Sequence, residues 1–430
     1  MTRAIAAAAA LALVAAAAPR AQAPQGLETF DAAWTIVRDT HFDKTFNGVD
    51  WEAVRTELRP KAATAKNSAE LRGVLRDMLG RLGQSHFVVI PSSADATAET
   101  SLMGSAEPAF DVRLVGDDLI VTTVDRGGPA EAAGVRTGWR ITAINRSPVS
   151  VLLRALSETS NERVRQLEAW RIARTRLRGF VGTKALVTFE DGAGKAVDVA
   201  IDRVPVSGEP VTVGTLPTMF VRVDWRSEKS PRGKNVGVIG FNVWMANVDR
   251  QFQQAVDELR SSDGMIIDLR GNPGGLAAMM MGISGHFEGQ RKPLGVMKTR
   301  DHTLNFNVNP RLVDSRGQRV AAYDRPLAIL VDGLTGSASE CFTGGMQSIR
   351  RARVFGQTTM GQALPSLFDR LPNGDVFIHA HGDFITADGT RLEGRGVIPD
   401  EPIPMRREDL LAGRDRTFEA ALAWIDAQGD

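Results

Sequence analysis

The sequence contains a single cysteine, Cys341, among 430 residues. An intramolecular disulfide is therefore excluded, and a zinc site built on cysteines is not expected. Cys341 lies in a Gly- and Ala-rich stretch that has no neighbouring basic residue to favour a thiolate. We therefore expect it to be a small buried packing residue and not a nucleophile.

An excess of one charge sign is also missing, since 52 Lys and Arg residues face 51 Asp and Glu residues. No dense Lys/Arg cluster overrides this balance, so we expect neither nucleic acid nor an anionic membrane surface as a partner. Hydrophobic residues make up 43% of the chain and charged residues 24%, which is typical of a globular protein. At about 150 residues per domain, the length predicts two or three domains.

Long apolar runs are absent except at the N-terminus. Arg3 precedes an Ala/Leu-rich run over residues 4–18, and Ala21-Gln22-Ala23 offers small residues for cleavage. The pattern predicts a signal peptide over residues 1–23, and therefore a periplasmic or secreted bacterial protein with no stable membrane span after cleavage. An uncleaved N-terminal anchor is the alternative, because Pro24 is unfavourable after a cleavage site, although the run is shorter than the about 20 residues of a spanning helix.

The spacing of apolar residues changes along the chain and divides it into regions. Up to about residue 90 these residues recur at helical spacing, as in Phe30, Trp34 and Val37. Short β-branched runs follow, and from about residue 235 strands alternate with helices, which predicts a layered α/β core. We therefore predict a helical domain, a mainly β domain, an α/β domain and a C-terminal helix over residues 27–100, 104–205, 206–405 and 406–430.

The second region resembles a PDZ domain. Residues 127–135 combine a glycine turn with a short helix opened by Pro129, and Gly138 begins a tight turn into a strand. An Asp usually follows the counterpart of Gly138, whereas here Trp139 does. PDZ domains bind an extended peptide by strand addition and hold its C-terminal carboxylate. The alternative is a PDZ-shaped spacer without peptide affinity.

Two glycine-containing turns of the α/β region join a predicted strand to a predicted helix. In Asp268–Gly275, glycines allow backbone N–H groups to turn outward and hold an anion or a developing oxyanion; a plain structural turn is the alternative. In Asp332–Glu340, Ser337 lies at a helix N-terminus, where free N–H groups stabilise a negative oxygen. Taken alone, Ser337 could equally be an N-cap, with Glu340 completing a capping box.

A serine nucleophile needs a base, and His86 is the best candidate among six histidines. It lies in a Gly/Ser-marked turn, Gly83-Gln84-Ser85-His86-Phe87, between a helix and an apolar strand. His379 and His381 alternate along a predicted strand, and we interpret them as surface or rim residues.

The chain from Val236 to Asp400 resembles the catalytic domain of the C-terminal processing (tail-specific) and tricorn-like serine peptidases. Four ordered motifs carry the resemblance: Asp268–Gly275, Ser337–Glu340, Gly356–Gly361 and Glu393–Asp400. It implies a fold related to the crotonase and ClpP type and a peptidase without metal or cofactor that acts on polypeptides.

Residue by residue, the resemblance makes Ser337 the nucleophile and the backbone N–H groups of Gly274 and Ala338 the oxyanion donors. Gly275, next in the same turn, is expected to contact substrate.

One departure from the family changes the expected mechanism. Processing peptidases place a lysine base in a Thr-aromatic-Gly-Lys motif, but residues 359–362 end in Gln362, and no lysine follows Lys298. The tricorn-like branch uses a Ser-His pair and a glutamate, which Ser85, His86 and Glu393 resemble. This resemblance implies that His86 is the general base. Glu393 could instead be a structural carboxylate, and Gln362 could line the oxyanion site or bind substrate backbone.

Three functional hypotheses follow. The first is a serine endopeptidase that uses Ser337, His86, Ser85 and Glu393. The second is a catalytically inactive protein of the same fold that binds peptides or hydrophobic ligands, as the missing lysine suggests. An esterase is the third, although no Gly-x-Ser-x-Gly elbow surrounds Ser337. The sequence does not define the oligomeric state.

Overall fold

A computed structural model describes residues 25–91, 106–159, 161–212 and 218–428. The predicted signal peptide lies outside these residues. In the part of the chain that is described, no helix is both long enough and apolar enough to cross a membrane.

The N-terminal region is a three-helix unit followed by a short strand. Asp50 and Asn67 cap the second and third helices, because their side chains accept hydrogen bonds from the N–H groups of Ala53 and Glu70. Trp34 and Trp51 join the first two helices, since each indole N–H donates to the other residue's carbonyl oxygen. The elements are α1 (Gln25–Thr40), α2 (Trp51–Ala63), α3 (Ser68–Gly80) and β1 (Val88–Ile90).

The second region is built around an antiparallel sheet of order β3-β4-β5-β7-β8, with a helix packed against the edge strand β3. The short β-branched runs seen in the sequence of this region form strands of this sheet. The elements are β2 (Ala106–Glu107), β3 (Phe110–Val115), β4 (Asp118–Val124), α4 (Pro129–Ala132), β5 (Arg140–Ile144), β6 (Ser147–Pro148), α5 (Val149–Leu152), α6 (Glu162–Leu177), β7 (Lys184–Glu190), β8 (Ala196–Asp202) and β9 (Val204–Pro205).

The third region contains a six-stranded sheet of order β12-β13-β14-β17-β18-β22, in which only the β12–β13 pair is antiparallel. The elements are β10 (Glu209–Val211), β11 (Met219–Val221), β12 (Val223–Lys229), β13 (Asn235–Phe241), α7 (Asn247–Leu259), β14 (Gly264–Asp268), α8 (Met279–Ser284), β15 (Pro293–Thr299), β16 (Thr303–Asn307), β17 (Leu327–Val331), α9 (Ala338–Ser348), β18 (Arg353–Gly356), β19 (Ser366–Arg370), β20 (Val376–Ala380), β21 (Gly382–Thr386), β22 (Glu401–Pro402), α10 (Arg407–Leu411) and α11 (Arg416–Ala427).

Helices cover both faces of this sheet and make the fold a layered α/β arrangement. Residues of α7, α8 and α9 share the main hydrophobic core with one face of the sheet. The C-terminal helix α11 covers the other face, where Leu422 and Ile425 pack against Val236, Ile266 and Leu330. The mixed α/β fold that the sequence predicts is therefore confirmed, and α11 lies within the C-terminal helix predicted over residues 406–430.

Parallel pairing brings the two predicted glycine turns together. β14 and β17 pair in register from Met265↔Leu327 to Asp268↔Leu330, so both strands end at the same edge of the sheet. The loops that follow them carry Gly274 and Ser337. In open α/β sheets, functional sites form at the carboxyl ends of the strands, which is where these two loops lie.

A second, three-stranded sheet of order β1-β20-β19 joins the helical region to the α/β region. Leu371 and Phe377 complete the core of the three-helix unit, and Arg72 forms a buried ion pair with Asp375 at 2.8 Å. This junction fixes the turn that precedes β1, which contains His86. The same sheet corrects one expectation: His379 on β20 is fully buried and bonded to Asp369, so it is not a surface or rim residue.

Candidate functional site

Ser337 occupies a strained backbone position immediately before α9. Its φ and ψ are +52° and −119°, a region that residues with a side chain rarely adopt. The Ser337 N–H is held by the carbonyl oxygen of Gln362 at 2.9 Å and by the Glu340 carboxylate at 3.0 Å. Among residues 331–340, Ser337 alone is not buried, so this conformation presents one serine to the surface at a helix N-terminus.

Glu340 is the hub of the loops around Ser337. Its fully buried carboxylate accepts hydrogen bonds from the Thr359 hydroxyl and from the N–H groups of Gly361, Gln362 and Ser337, at 2.5–3.0 Å. Burial raises the pKa of Glu340 to about 7, and these four donors oppose that shift. The glutamate expected to act as a capping residue thus also holds the 359–362 loop against the serine.

The Gly274 turn lies directly against the nucleophile candidate. A Cβ added to Gly274, whose φ is +101°, would lie 2.6 Å from the Ser337 Cβ and 2.8 Å from the Ala338 nitrogen. Only glycine can therefore occupy this position without displacing the backbone of the serine loop.

The donors of this turn differ from the expectation in one respect. The Gly274 N–H already donates to the Asn272 side-chain oxygen at 3.0 Å, so it is not available to an oxyanion in this conformation. The N–H groups of Gly275 and Ala338 have no hydrogen-bond partner within the described ranges. In this conformation the available N–H donors are therefore those of Gly275 and Ala338, whereas the sequence analysis named Gly274 and Ala338.

His86, Ser85 and Glu393 form one hydrogen-bonded chain, although Ser85 and Glu393 are 308 residues apart in sequence. The His86 Nδ1 lies 2.8 Å from the Ser85 hydroxyl, which donates to Glu393 Oε2 at 2.9 Å. Glu393 also accepts from the backbone N–H of Ser85 and of Ala363. The three residues that the sequence analysis grouped are therefore joined by direct hydrogen bonds through Ser85.

The hydrogen bonds that run from His86 through Ser85 to Glu393 fix the tautomer of His86. A serine hydroxyl has one proton, and here it points to the carboxylate of Glu393. The hydroxyl oxygen must therefore accept a hydrogen bond from the Nδ1–H of His86, which leaves a lone pair on Nε2. A neutral histidine with that lone pair is able to take a proton from a hydroxyl group.

The surroundings of His86 favour its neutral form. Burial, together with the positive charge of Arg171 on α6, lowers the pKa of His86 to about 4. Burial also raises the pKa of Glu393, against the opposing effect of its hydrogen-bond donors. His86 is therefore in its basic form at neutral pH.

Two adjacent residues, Gln362 and Ala363, connect the hydrogen-bonded series His86–Ser85–Glu393 to Ser337. Gln362 accepts the Ser337 N–H, and Ala363 donates to Glu393. The serine loop and the His86–Ser85–Glu393 chain are thus attached to neighbouring positions of one backbone segment. Gln362 lies beside the nucleophile candidate, and its side chain has no hydrogen-bond partner within the ranges described.

Helix α6 of the second region packs onto the loops of the site. Its Arg163 donates to the carbonyl oxygens of Gly394 and Arg395, directly after Glu393. Its Leu167 forms a buried cluster with Leu334 and Met360, from the loops on either side of Ser337. These contacts place α6 where it supports the catalytic loops.

Further charged contacts join the second region to the same edge. Arg113 on β3 pairs with Asp332 at 2.9 Å and with Asp111 at 2.6 Å. Sequence reasoning missed Glu340, Asn272, Arg113 and Arg163 as members of the site. Glu340 and Asn272 had a local signal, because they lie in the Ser337–Glu340 and Asp268–Gly275 motifs.

Cys341 is a free, buried residue in α9, as expected, and burial raises the pKa of its thiol. In the described part of the chain, no group of three or more His, Cys, Asp and Glu side chains is arranged to hold a metal ion.

The family models and the curated relatives support a serine peptidase. Residues 235–403 match the model of peptidase family S41, and residues 26–80 match the tricorn protease C1 domain. The α/β region of the chain therefore contains a peptidase family S41 domain.

Curated relatives share most of their length with this chain. The carboxyl-terminal-processing protease of Synechocystis sp. is 24% identical over 399 residues, which cover 91% of this chain and 84% of that protein. The protein of the same name from Picosynechococcus sp. is 26% identical over 386 residues, with coverage of 86% and 82%.

Solved structures support the fold. The photosystem II D1 C-terminal processing protease has a TM-score of 0.58 at 21% identity, with coverage of 94% of this chain and 98% of that one. Mature CPAF has a TM-score of 0.61 at 14% identity, with coverage of 94% and 95%.

Proposed function

We propose that this protein is an exported serine endopeptidase in which Ser337 is the nucleophile and His86 the general base. The observation that carries the proposal is the chain from His86 through Ser85 to Glu393, which leaves His86 Nε2 as a proton acceptor. Gln362 replaces the lysine base of the processing enzymes, and a side-chain amide cannot accept the serine proton.

The proposed reaction is an acyl transfer in two halves. His86 Nε2 takes the Ser337 proton as Oγ attacks the carbonyl carbon of a peptide bond, and the imidazolium then protonates the leaving amine. In the second half, His86 takes a proton from a water molecule that attacks the acyl carbon, and the imidazolium returns this proton to Ser337 Oγ as the bond between Oγ and the acyl group breaks. Glu393 stabilises the imidazolium through the Ser85 hydroxyl, which remains hydrogen bonded at both ends.

The oxyanion of the tetrahedral intermediate would accept hydrogen bonds from Ala338 and from the Gly274–Gly275 turn. Ala338 occupies the first turn of α9, whose N–H groups have no intrahelical partner. We assign the second donor to Gly275, because Asn272 engages Gly274. Gly274 then contributes by allowing the close approach of the two loops.

The proposed substrates are unfolded or tail-presenting polypeptides. Two relatives are named carboxyl-terminal-processing proteases. The second region supports this, since β3 is an edge strand of a PDZ-like sheet and could add an extended peptide. The predicted signal peptide supports a periplasmic or secreted location, and helices on both sheet faces agree with a crotonase/ClpP-like arrangement.

The test is cleavage of an unfolded polypeptide by purified mature protein. Ser337→Ala and His86→Ala should each abolish cleavage. The matched exchanges Ser227→Ala and His302→Ala, at exposed positions away from the site, should not. The alternative is a catalytically inactive peptide-binding protein, which the loss of the lysine favours. Peptide binding without cleavage over a range of pH would establish that alternative.

A further inference from the structure

We infer that a cleft of about 660 Å³ between α8 and β16 is a subsite for a carboxylate of the polypeptide substrate, namely an Asp or Glu side chain near the cleaved bond. The inference rests on the proposed peptidase function and specifies which substrates the site prefers. The cleft is separate from the Ser337–His86 machinery and has its own set of polar groups.

The cleft begins where the oxyanion turn ends. Its wall includes Ala278, three residues after Gly275, and Ala246, two residues after Trp244. The backbone of Trp244 is bonded to the turn on both sides, since its N–H donates to Gly274 and its carbonyl oxygen accepts from Leu276. Three residues span at most about 11 Å. An extended substrate at Ser337 can therefore reach the cleft within a few residues.

Two guanidinium groups give the cleft a positive character. Arg311 pairs with Asp249 at 2.6 Å through one terminal nitrogen, while its Nε is buried without a hydrogen-bond partner. Arg291 is exposed and makes no ion pair within the described ranges. Since Asp249 balances one of the two arginines, the lining retains one net positive charge.

Three amide side chains add unused hydrogen-bonding capacity. Asn305, Asn307 and Asn309 line the cleft, and none of these side chains is hydrogen bonded to another described residue. The backbone of this wall is fixed, since the N–H groups of Asn309 and Arg311 donate to the carbonyl oxygens of Met281 and Gly285. Arginine forks and amide N–H donors in a fixed wall are suited to a carboxylate.

Apolar side chains complete the lining. Met279, Met281 and Val308 provide surface that a substrate main chain and methylene groups could cover. Such surface excludes water around the ion pair and so strengthens it. The cleft thus fits an acidic side chain of an extended polypeptide better than a free inorganic anion, which would leave the apolar part uncovered.

The experiment uses an internally quenched peptide built around a cleavage site mapped in an unfolded polypeptide. A single Asp, or Asn as its uncharged counterpart, is moved through the positions on both sides of the bond. We expect kcat/KM to be about tenfold higher for Asp than for Asn at one position a few residues from the bond, the size of a charge-assisted hydrogen bond. The ratio should fall to about one in Arg291→Gln and in the Arg291→Gln/Arg311→Gln double variant, as expected when the charged donors are removed.

Controls separate the possible sources of the effect. Arg316→Gln, an exposed exchange outside the cleft, should keep the preference. Peptides with a free or an amidated C-terminus distinguish an acidic side chain from a terminal carboxylate; a preference that follows only the free terminus would overturn the assignment. A ratio near one at every position, or a preference that survives the double variant, would also overturn it.

Binding to inactive protein keeps this test independent of catalysis. The Asp and Asn peptides are titrated into Ser337→Ala protein with and without Arg291→Gln, by fluorescence anisotropy. If wild-type protein cleaves nothing and no site can be mapped, the Asp and Asn pairs are placed along a segment of the unfolded polypeptide instead. Tighter binding of the Asp peptide that requires Arg291 then supports the subsite, and only the peptidase proposal fails. Equal binding of the two peptides contradicts the subsite.

Discussion

Removal of the Ser85 hydroxyl tests whether Glu393 acts on His86 through a relay. In Ser85→Ala, Glu393 keeps the N–H groups of Ser85 and Ala363, whereas His86 Nδ1 loses its single hydrogen-bond partner. The imidazolium formed in the transition state then lacks an acceptor for its Nδ1 proton. The neutral histidine also loses the contact that fixes its tautomer.

The magnitude follows from that one bond. A hydrogen bond to a charged group contributes about 1.5–3 kcal/mol. At about 1.4 kcal/mol for each factor of ten, kcat should fall roughly 10- to 150-fold. The stability loss should be smaller, about 1–2 kcal/mol, because two ordinary hydrogen bonds of a half-buried hydroxyl are lost.

The assay compares kcat for an internally quenched peptide with the free energy of unfolding from urea denaturation. Ser227→Ala, an exposed serine on β12, is the matched control and should change neither value. If kcat of Ser85→Ala stayed within twofold of wild type, the relay would have no catalytic part. A fall in kcat explained entirely by unfolding at the assay temperature would refute the reasoning equally.

Three further predictions concern pH and the groups that hold the site. Because the pKa of His86 is lowered to about 4, the base is neutral above that pH, and the acid limb of the kcat/KM profile should lie well below pH 6.5. Arg171→Met should move this limb to higher pH, as should added salt, because both weaken the positive charge near His86. An acid limb near pH 6.5 in the wild-type protein would contradict this prediction. Glu340→Gln should lower kcat and cost about 2–6 kcal/mol of stability, since an amide can accept only two of the four hydrogen bonds. Urea denaturation checks this, with the exposed exchange Glu158→Gln as the control. An unchanged urea midpoint would show that Glu340 does not hold the loops around Ser337. Arg163→Met should lower kcat with little effect on stability, because it releases the carbonyl groups that follow Glu393. Arg176→Met on the same helix should leave kcat unchanged. Equal activity of the two variants would show that α6 does not support the site.

The pH dependence of stability has two opposing contributions from the site. The folded pKa of His86 lies below its ordinary value of 6.5, so folded protein binds fewer protons than unfolded protein between about pH 4 and 6.5, and stability from this group rises with pH there. The folded pKa of Glu340 lies above its ordinary value of 4.5, so its contribution falls as pH rises from 4.5 to about 7.

Local patterns predicted the elements of the α/β domain closely. The alternation of strands and helices predicted from about residue 235 begins with the strand Asn235–Phe241, and a helix at Arg416–Ala427 lies within the predicted C-terminal helix. The helix predicted after the Asp268–Gly275 turn begins only at Met279, because the Leu276 N–H is bonded to the Trp244 carbonyl oxygen and the chain stays irregular until then. Such a long-range bond leaves no trace in local spacing.

The site was predictable only where a motif marked it. The partnership of Ser85 with Glu393 came from a family resemblance, since nothing local connects residues 308 positions apart. His379 was misplaced because alternation on a strand does not tell which face is covered, and α1 contributes Thr40 as its partner. The Asn272 contact to Gly274 and the Arg163 contacts to the 394–395 carbonyl groups depend on side-chain positions that no sequence pattern fixes.

The claim that His86 activates Ser337 is tested most directly by the rate of covalent labelling with a fluorophosphonate, mapped by peptide mass spectrometry. Wild-type protein should be labelled at Ser337, at a rate that rises with pH through the His86 pKa of about 4. His86→Ala should be labelled at least about a hundredfold more slowly, the usual contribution of a positioned base, and His302→Ala at the wild-type rate. Labelling at another serine, or equal rates in wild type and His86→Ala, would contradict the account.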